Sequence, residues 1–254
     1  MDRRLATSAL LGAVVVAGAC RPSTVVIEPE VEVGDRTRYR YEIEATLTRS
    51  LEGGEPDTTT ITTELVADQE VVTLTEAGAE AEVTLRRDGG PARSARVRLD
   101  RSGAIQGVEL VEGLGTGTIG LEELGALLPA SSAPPPTPLA PGARWAIDSG
   151  PLNGTGRLHR LAVVDGVDVA VVSTALRESV HEAVATGTSA VDLDGVLHSR
   201  STASYEIADG SLRRSIARTS GDLQAVIAPP EGVDAAPVDA TITYEIEIRV
   251  TRLR

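Results

Sequence analysis

Arg36-Thr-Arg-Tyr-Arg-Tyr-Glu-Ile-Glu-Ala-Thr-Leu-Thr48 is the stretch whose reading decides the fold. Tyr39, Tyr41, Ile43, Ala45 and Leu47 fall on one side of an extended chain, and Arg38, Arg40, Glu42, Glu44 and Thr46 on the other. Successive side chains of a strand point to opposite faces, so this strict alternation predicts a half-buried antiparallel strand. A helix would need the apolar positions three and four apart, and they are not.

The same grammar recurs along the chain. Thr59 to Ala67, Ala79 to Arg86 and Arg93 to Leu99 are further strand candidates, separated by Asp88-Gly89-Gly90 and followed by Asp100-Arg-Ser-Gly103. Trp145 follows a Pro141-Gly142 turn and enters a second series. Leu158 to Val164 and Val167 to Ala175 flank Asp165-Gly166, and Val180 to Val191 and Val196 to Ile207 flank Asp192-Leu-Asp-Gly195, read as a hairpin turn. Asp209-Gly210 leads into Ser211 to Thr219. Ile227 to Val238 is a Pro/Gly loop, and Thr241 to Leu253 closes the chain with Ile242, Tyr244, Ile246, Ile248 and Val250 on one face.

Tyr41-Glu-Ile-Glu44 returns as Tyr244-Glu-Ile-Glu247, each followed at the same offset by Thr-Arg (Thr48-Arg49, Thr251-Arg252). The echo suggests two related β halves whose first and last strands meet. The predicted fold is therefore mainly β, with antiparallel curved sheets or a half-open barrel, possible as two halves, and one short helix at Leu121 to Leu128. The expected organisation is 1–19 signal segment, 20–33 tether, 34–128 first β-rich half, 129–141 proline-rich linker and 142–254 second half.

The amino terminus carries the only cysteine of the 254 residues. Arg3 and Arg4 make a positive start, Leu5 to Ala17 is uncharged and mostly apolar, and Gly18-Ala19 sets small residues before Cys20. The apolar run is shorter than the roughly 20 residues a spanning helix needs. Small residues followed at once by Cys resemble the lipobox of bacterial lipoproteins, with Ala17 where Leu is commonest in that family. The resemblance implies a diacylglyceryl thioether on Cys20 and cleavage before it by signal peptidase II, with Ala17, Gly18 and Ala19 as recognition residues. It also implies an extracytoplasmic protein held on a membrane by its lipid. Each buried methylene contributes about 0.8 kcal/mol, so two or three acyl chains suffice as an anchor. An ordinary secretory signal would leave a free exported thiol, which lipidation explains away.

Removal of Asp2, Arg3 and Arg4 with the signal segment takes the formal charge from −13 to −14. Such a body is repelled by the phosphate backbone, which excludes nucleic acid as a partner. With one cysteine there is no intrachain disulfide and no thiolate metal cluster. With no Phe, one Trp and four Tyr, stacking platforms for sugars or bases are scarce, and the core must come from Val, Leu, Ile and Ala.

Catalytic and cofactor motifs fail one by one. Gly115-Thr-Gly-Thr-Ile-Gly120 spells G-x-G-x-x-G, but the helix after it stops at Pro129 and no βαβ unit follows. His181-Glu182 lacks the second histidine of H-E-x-x-H, since position 185 is Ala; His159 and His198 complete the histidines without a metal pattern. Asp192 and Asp194 lack the remaining ligands of a calcium loop. No catalytic residue, cofactor or metal site is assigned. In layout (anchor, tether, strands, helix, more strands) the chain looks like lipoproteins built on the lipoprotein-carrier half-barrel, whose concave apolar face holds acyl chains. That resemblance implies an apolar ligand or a partner protein. The rival expectation is an envelope structural or interaction protein with a filled interior, and a hydrolase stands third.

Overall fold

A computed structural model describes residues 23–51, 53–76, 78–87, 90–100, 105–112, 134–149, 152–186, 189–229 and 233–253. Among these the protein is a single antiparallel sheet of eleven strands: β1 (Arg36–Leu51), β2 (Asp57–Thr75), β3 (Gly78–Arg87), β4 (Arg93–Asp100), β5 (Ile105–Glu112), β6 (Arg144–Ser149), β7 (Leu152–Val164), β8 (Val167–Thr186), β9 (Ser189–Glu206), β10 (Leu212–Ile227) and β11 (Val238–Arg252). The mainly β, antiparallel half-open architecture expected from the alternation is the one observed. The helix expected at Leu121 to Leu128 lies outside the described residues, as do the signal segment and Gly115 to Gly120.

The spatial order is β5-β4-β3-β2-β1-β11-β10-β9-β8-β7-β6. Two meanders thus join along a seam between the first strand and the last. Tyr41 faces Val250, Ile43 faces Ile248, and Glu44 faces Glu247 across it. The two Tyr-Glu-Ile-Glu copies are consequently related by a local twofold axis through the Glu44–Glu247 pair. Like charges directly opposite destabilise a sheet. Here Arg218 and Arg249 both bond to Glu247, and these bonds hold its carboxyl below the ordinary value.

Every strand residue of the main core cluster belongs to one face of the sheet, from Ala95 and Val97 on β4 to Leu158 on β7. One face can supply a common core from strands so far apart only if the sheet curls around it, so that face is concave. The convex face alternates Arg with Asp and Glu: Arg38 lies 3.0 Å from Asp68, Arg40 lies 3.1 Å from Glu64, and Arg86 also reaches Asp68. Exposed pairs of this kind contribute about 0–1 kcal/mol each, so they set polarity and solubility more than stability. A transmembrane barrel needs an apolar outer band. This outer face is charged.

One end of the curl is sealed. Tyr39 and Tyr41 of β1, Leu65 and Ala67 of β2, Ala203 and Tyr205 of β9 and Val250 of β11 pack there. The tyrosine rings of β1 meet edge to face at 6.4 Å. Two segments expected to be free linkers complete the seal. In the expected tether of residues 20–33, Val25 and Ile27 are 5% and 3% exposed and belong to the core. In the expected linker of residues 129–141, Leu139 is 6% exposed and exchanges backbone hydrogen bonds of 2.9 and 2.8 Å with Val25. The physical reason is vacancy. A sheet curled this widely leaves an axial space that its own side chains, poor in aromatics, cannot fill.

The two predicted hairpin turns Asp165-Gly166 and Asp192–Gly195 come out differently. Asp165-Gly166 forms the hairpin between β7 and β8, with φ of 51° and 78°. Asp192-Leu-Asp-Gly195 does not turn; it lies inside β9, with His181 opposite Asp194 and Val180 opposite Gly195. Its alternation decides the matter: Leu193 and Gly195 face the concave side and the two aspartates face solvent, so local turn propensity yields to the register.

Candidate functional site

The concave face changes character along its length. Beyond the sealed end it continues as Ile43, Ala45 and Leu47 on β1, then Ile246, Tyr244 and Ile242 on β11. Leu223 on β10, Leu197 and Leu193 on β9 and Leu176 on β8 extend it laterally. These side chains are half-buried, and towards the far rim Leu47, Leu51 and Ile61 reach 36%, 49% and 56% exposure. No charged residue occupies the concave positions of β11 from Ala240 to Val250, of β10 from Ser215 to Ile227, or of β9 from Val191 to Tyr205. The concave face of β9, β10 and β11 is thus an uncharged strip, open at the end opposite the seal and flanked by charge: Arg49 of β1 with Asp57 of β2, 3.2 Å apart, on one side, and Glu178 of β8 on the other.

Glycines let the trough curve. Gly195 on β9 faces Leu223 on β10, and Gly221 on β10 faces Leu197 on β9. A Cβ at Gly195 would stand 2.6 Å from the backbone oxygen of Asp222, and one at Gly221 would stand 2.4 Å from that of Val196. Each leucine folds over the glycine opposite. Only hydrogen in place of Cβ lets the neighbouring backbone come so close.

The sealed rim carries a second grouping, polar and interlocked. Arg252, at the end of β11, lies 3.5 Å from Glu206 and 3.4 Å from Asp209, and donates to Ser211 Oγ. Arg213 lies 3.3 Å from Glu206 and 3.7 Å from Asp165. Asp209 accepts hydrogen bonds from the Ser211 amide at 2.9 Å and its hydroxyl at 2.6 Å. Partial burial pushes the Asp209 carboxyl up, but the Ser211 and Arg252 interactions outweigh it and hold it below the ordinary value. Burial pushes the neighbouring Tyr39 hydroxyl up to about 12. This network of ion pairs and hydrogen bonds ties the β9–β10 turn to the end of β11.

Two clefts flank this rim. One, of about 750 Å³, is lined by charges of both signs, including Arg36, Arg38, Asp68, Arg86 and Arg252. The other, of about 620 Å³, lies between residues 26–32 and the turns of β2–β3 and β9–β10, with Val26, Val31, Leu74, Leu99 and Ile207 among its walls.

The residues singled out in the sequence are dispersed. Cys20, Ala17, Gly18 and Ala19 lie outside the described residues. His159 Nε2 is 2.7 Å from Ser173 Oγ. His181 Nδ1 is 2.6 Å from Asp194 Oδ2, both exposed on the convex face, and His198 sits opposite Arg177 on that face. Trp145 packs against the core with its ring over Gly156. The Arg252–Asp209–Glu206–Arg213 grouping was not foreseen, because its members converge only through the β9–β10 turn and the last strand.

No family model matches the chain, and no curated protein matches it. Among solved structures it is similar to OmpT, an outer membrane protein of Vibrio cholerae. A loop L8 deletion mutant aligns at 12% identity over 86% of this chain and 99% of that one, with a TM-score of 0.17. The in-vitro folded trimer form aligns at 10% identity over 87% and 100%, with a TM-score of 0.18. Scores this low carry no argument about fold, membrane insertion or role.

Proposed function

We propose that this chain is an extracytoplasmic lipoprotein, anchored in a membrane through acyl chains on Cys20, which holds an apolar ligand in the open half of its concave face. The observation that carries the ligand reading is the uncharged concave strip of β11, β10 and β9, continued by Ile43, Ala45 and Leu47 of β1 and set against a charged convex face. Apolar surface on a concave, partly covered face is the usual setting for a ligand, with affinity supplied by area removed from water at about 25 cal/mol per Å². The anchor reading rests on the residues before Cys20 and on the absence of any other cysteine.

Each part has its own test. Cys20→Ala should release the protein from the membrane and abolish cleavage before residue 20; normal processing and retention would refute the anchor. Native mass spectrometry of a soluble Cys20→Ser form should show co-purifying lipid, and Leu223→Glu in that background should remove it. Ligand-free protein that also ignores a fluorescent long-chain fatty acid would leave the envelope interaction protein as the better reading.

A further inference from the structure

The first described residues of the chain are part of the seal. Val25 is locked to Leu139 by a reciprocal pair of backbone hydrogen bonds, and the Glu30 amide donates to Asp209 at 3.0 Å. The Gly34 amide donates to Val71 at 2.8 Å. Gly210 takes a φ of +66°, and a Cβ there would stand 2.1 Å from the backbone oxygen of Glu28. The segment from Val25 to Gly34 is therefore built into the sealed end and cannot pay out as slack. An extended chain advances at most about 3.3–3.6 Å per residue, so the five residues that separate Cys20 from Val25 reach at most about 18 Å.

Exposed aliphatic side chains collect on that same end. Val26, Val31, Val33 and Leu74 are 43%, 39%, 61% and 47% exposed. Three of the four, all but Val33, line the 620 Å³ cleft beside residues 26–32. The open end is far off: Leu51 lies ten residues beyond Tyr41 along β1, about 33 Å at 3.3 Å per residue.

We infer that the lipid on Cys20 holds the sealed end flush against a lipid bilayer, with the Val26–Val31–Val33–Leu74 rim in its interfacial zone and the trough opening away from that membrane. This orientation rests on the anchor reading proposed above. It makes the trough a receiver for ligand arriving from across the compartment, since its open rim stands tens of ångströms from the anchoring lipids. Aliphatic side chains favour the acyl–headgroup boundary. Glu28, Glu30 and Glu32 are interleaved with them and are repelled by anionic headgroups, so the surface that fits is zwitterionic.

The test uses the full lipidated protein, extracted from membranes and reconstituted into phosphatidylcholine vesicles. Val33→Cys, Leu74→Cys and Leu51→Cys each introduce a single thiol at an exposed position, because acylation blocks Cys20. An environment-sensitive fluorophore at residues 33 and 74 should be quenched by brominated lipid at least several-fold more than at residue 51. Replacing part of the phosphatidylcholine by phosphatidylglycerol should reduce quenching at 74 at low salt, and salt should restore it. Equal quenching at all three sites, or stronger quenching at 51, overturns the orientation while leaving the anchor intact. Labelling of the parent protein itself would expose a free Cys20, which refutes the anchor and the orientation that rests on it.

Discussion

Tyr41 carries the sharpest energetic prediction. Its side chain is 1% exposed, and its hydroxyl has no hydrogen-bond partner among the described residues. A buried hydroxyl without a partner costs about 1–3 kcal/mol, whereas the ring buries apolar area and meets Tyr39 edge to face. Tyr41→Phe keeps the ring and removes the liability, so it should stabilise the protein by about 1–2 kcal/mol at neutral pH. Urea unfolding followed by emission of the single Trp145 measures this directly. The alkaline limb gives a second reading. Burial raises the hydroxyl pKa of both Tyr39, to about 12, and Tyr41 above the unfolded value near 10. Between pH 10 and 12 the unfolded chain loses these protons while the folded chain keeps them. Stability is therefore complete below pH 10 and falls as pH rises, by about 1.4 kcal/mol per unit for each tyrosine. Tyr41→Phe should halve the part of the slope due to this pair, from about 2.7 to about 1.4 kcal/mol per pH unit. A variant less stable by 1 kcal/mol or more, or with an unchanged alkaline slope, would refute the reasoning and place a partner on that hydroxyl.

Other substitutions probe the seal and the trough. Gly210→Ala places a side chain at a positive φ and against Glu28, so it should cost at least about 1–3 kcal/mol and speed amide exchange at Val25 and Ile27; unchanged exchange there would show that the segment does not depend on this contact. Gly195→Ala and Gly221→Ala each drive a methyl into backbone of the adjacent strand, with an expected loss of about 1–3 kcal/mol that denaturant melts will register. On the acid side, the lowered Asp209 pKa contributes stability that is present above its ordinary value of 3.8 and lost as pH falls through the folded value. Asp209→Asn should accordingly lower Tm at neutral pH, and the gap to the parent should close under strong acid; a gap independent of pH would assign the effect to packing.

The strands were legible because their signal is local. Period-two alternation in Arg36 to Thr48 or Thr241 to Leu253 needs no partner to be read, and Asp165-Gly166 advertises its turn through residues that tolerate positive φ. Strand ends were less legible. The strand read over Thr59 to Ala67 runs from Asp57 to Thr75, and Asp192-Leu-Asp-Gly195 carries turn residues inside a paired strand. In both places the neighbours supply hydrogen bonds that override local preference. Val25, Ile27 and Leu139 sat among prolines and acids, where nothing in their surroundings distinguishes a plug from a linker. The rim grouping of Arg252, Asp209, Glu206 and Arg213 depends on the distance between chain segments in space, which spacing along the chain does not record.

The two Tyr-Glu-Ile-Glu copies show where the division falls. Composition and alternation by themselves determined that each copy is a strand, with Tyr and Ile on one face and Glu on the other. Whether either tyrosine is core was decided only by tertiary structure. The antiparallel seam turns the copies about the Glu44–Glu247 pair, sending Tyr41 to the end that Val25, Ile27 and Leu139 fill and Tyr244 towards the open trough. Tyr41 is buried and Tyr244 half-exposed. Identical local sequence fixes a side chain's face, because the face follows from backbone geometry. Its burial follows from what other parts of the chain place opposite that face.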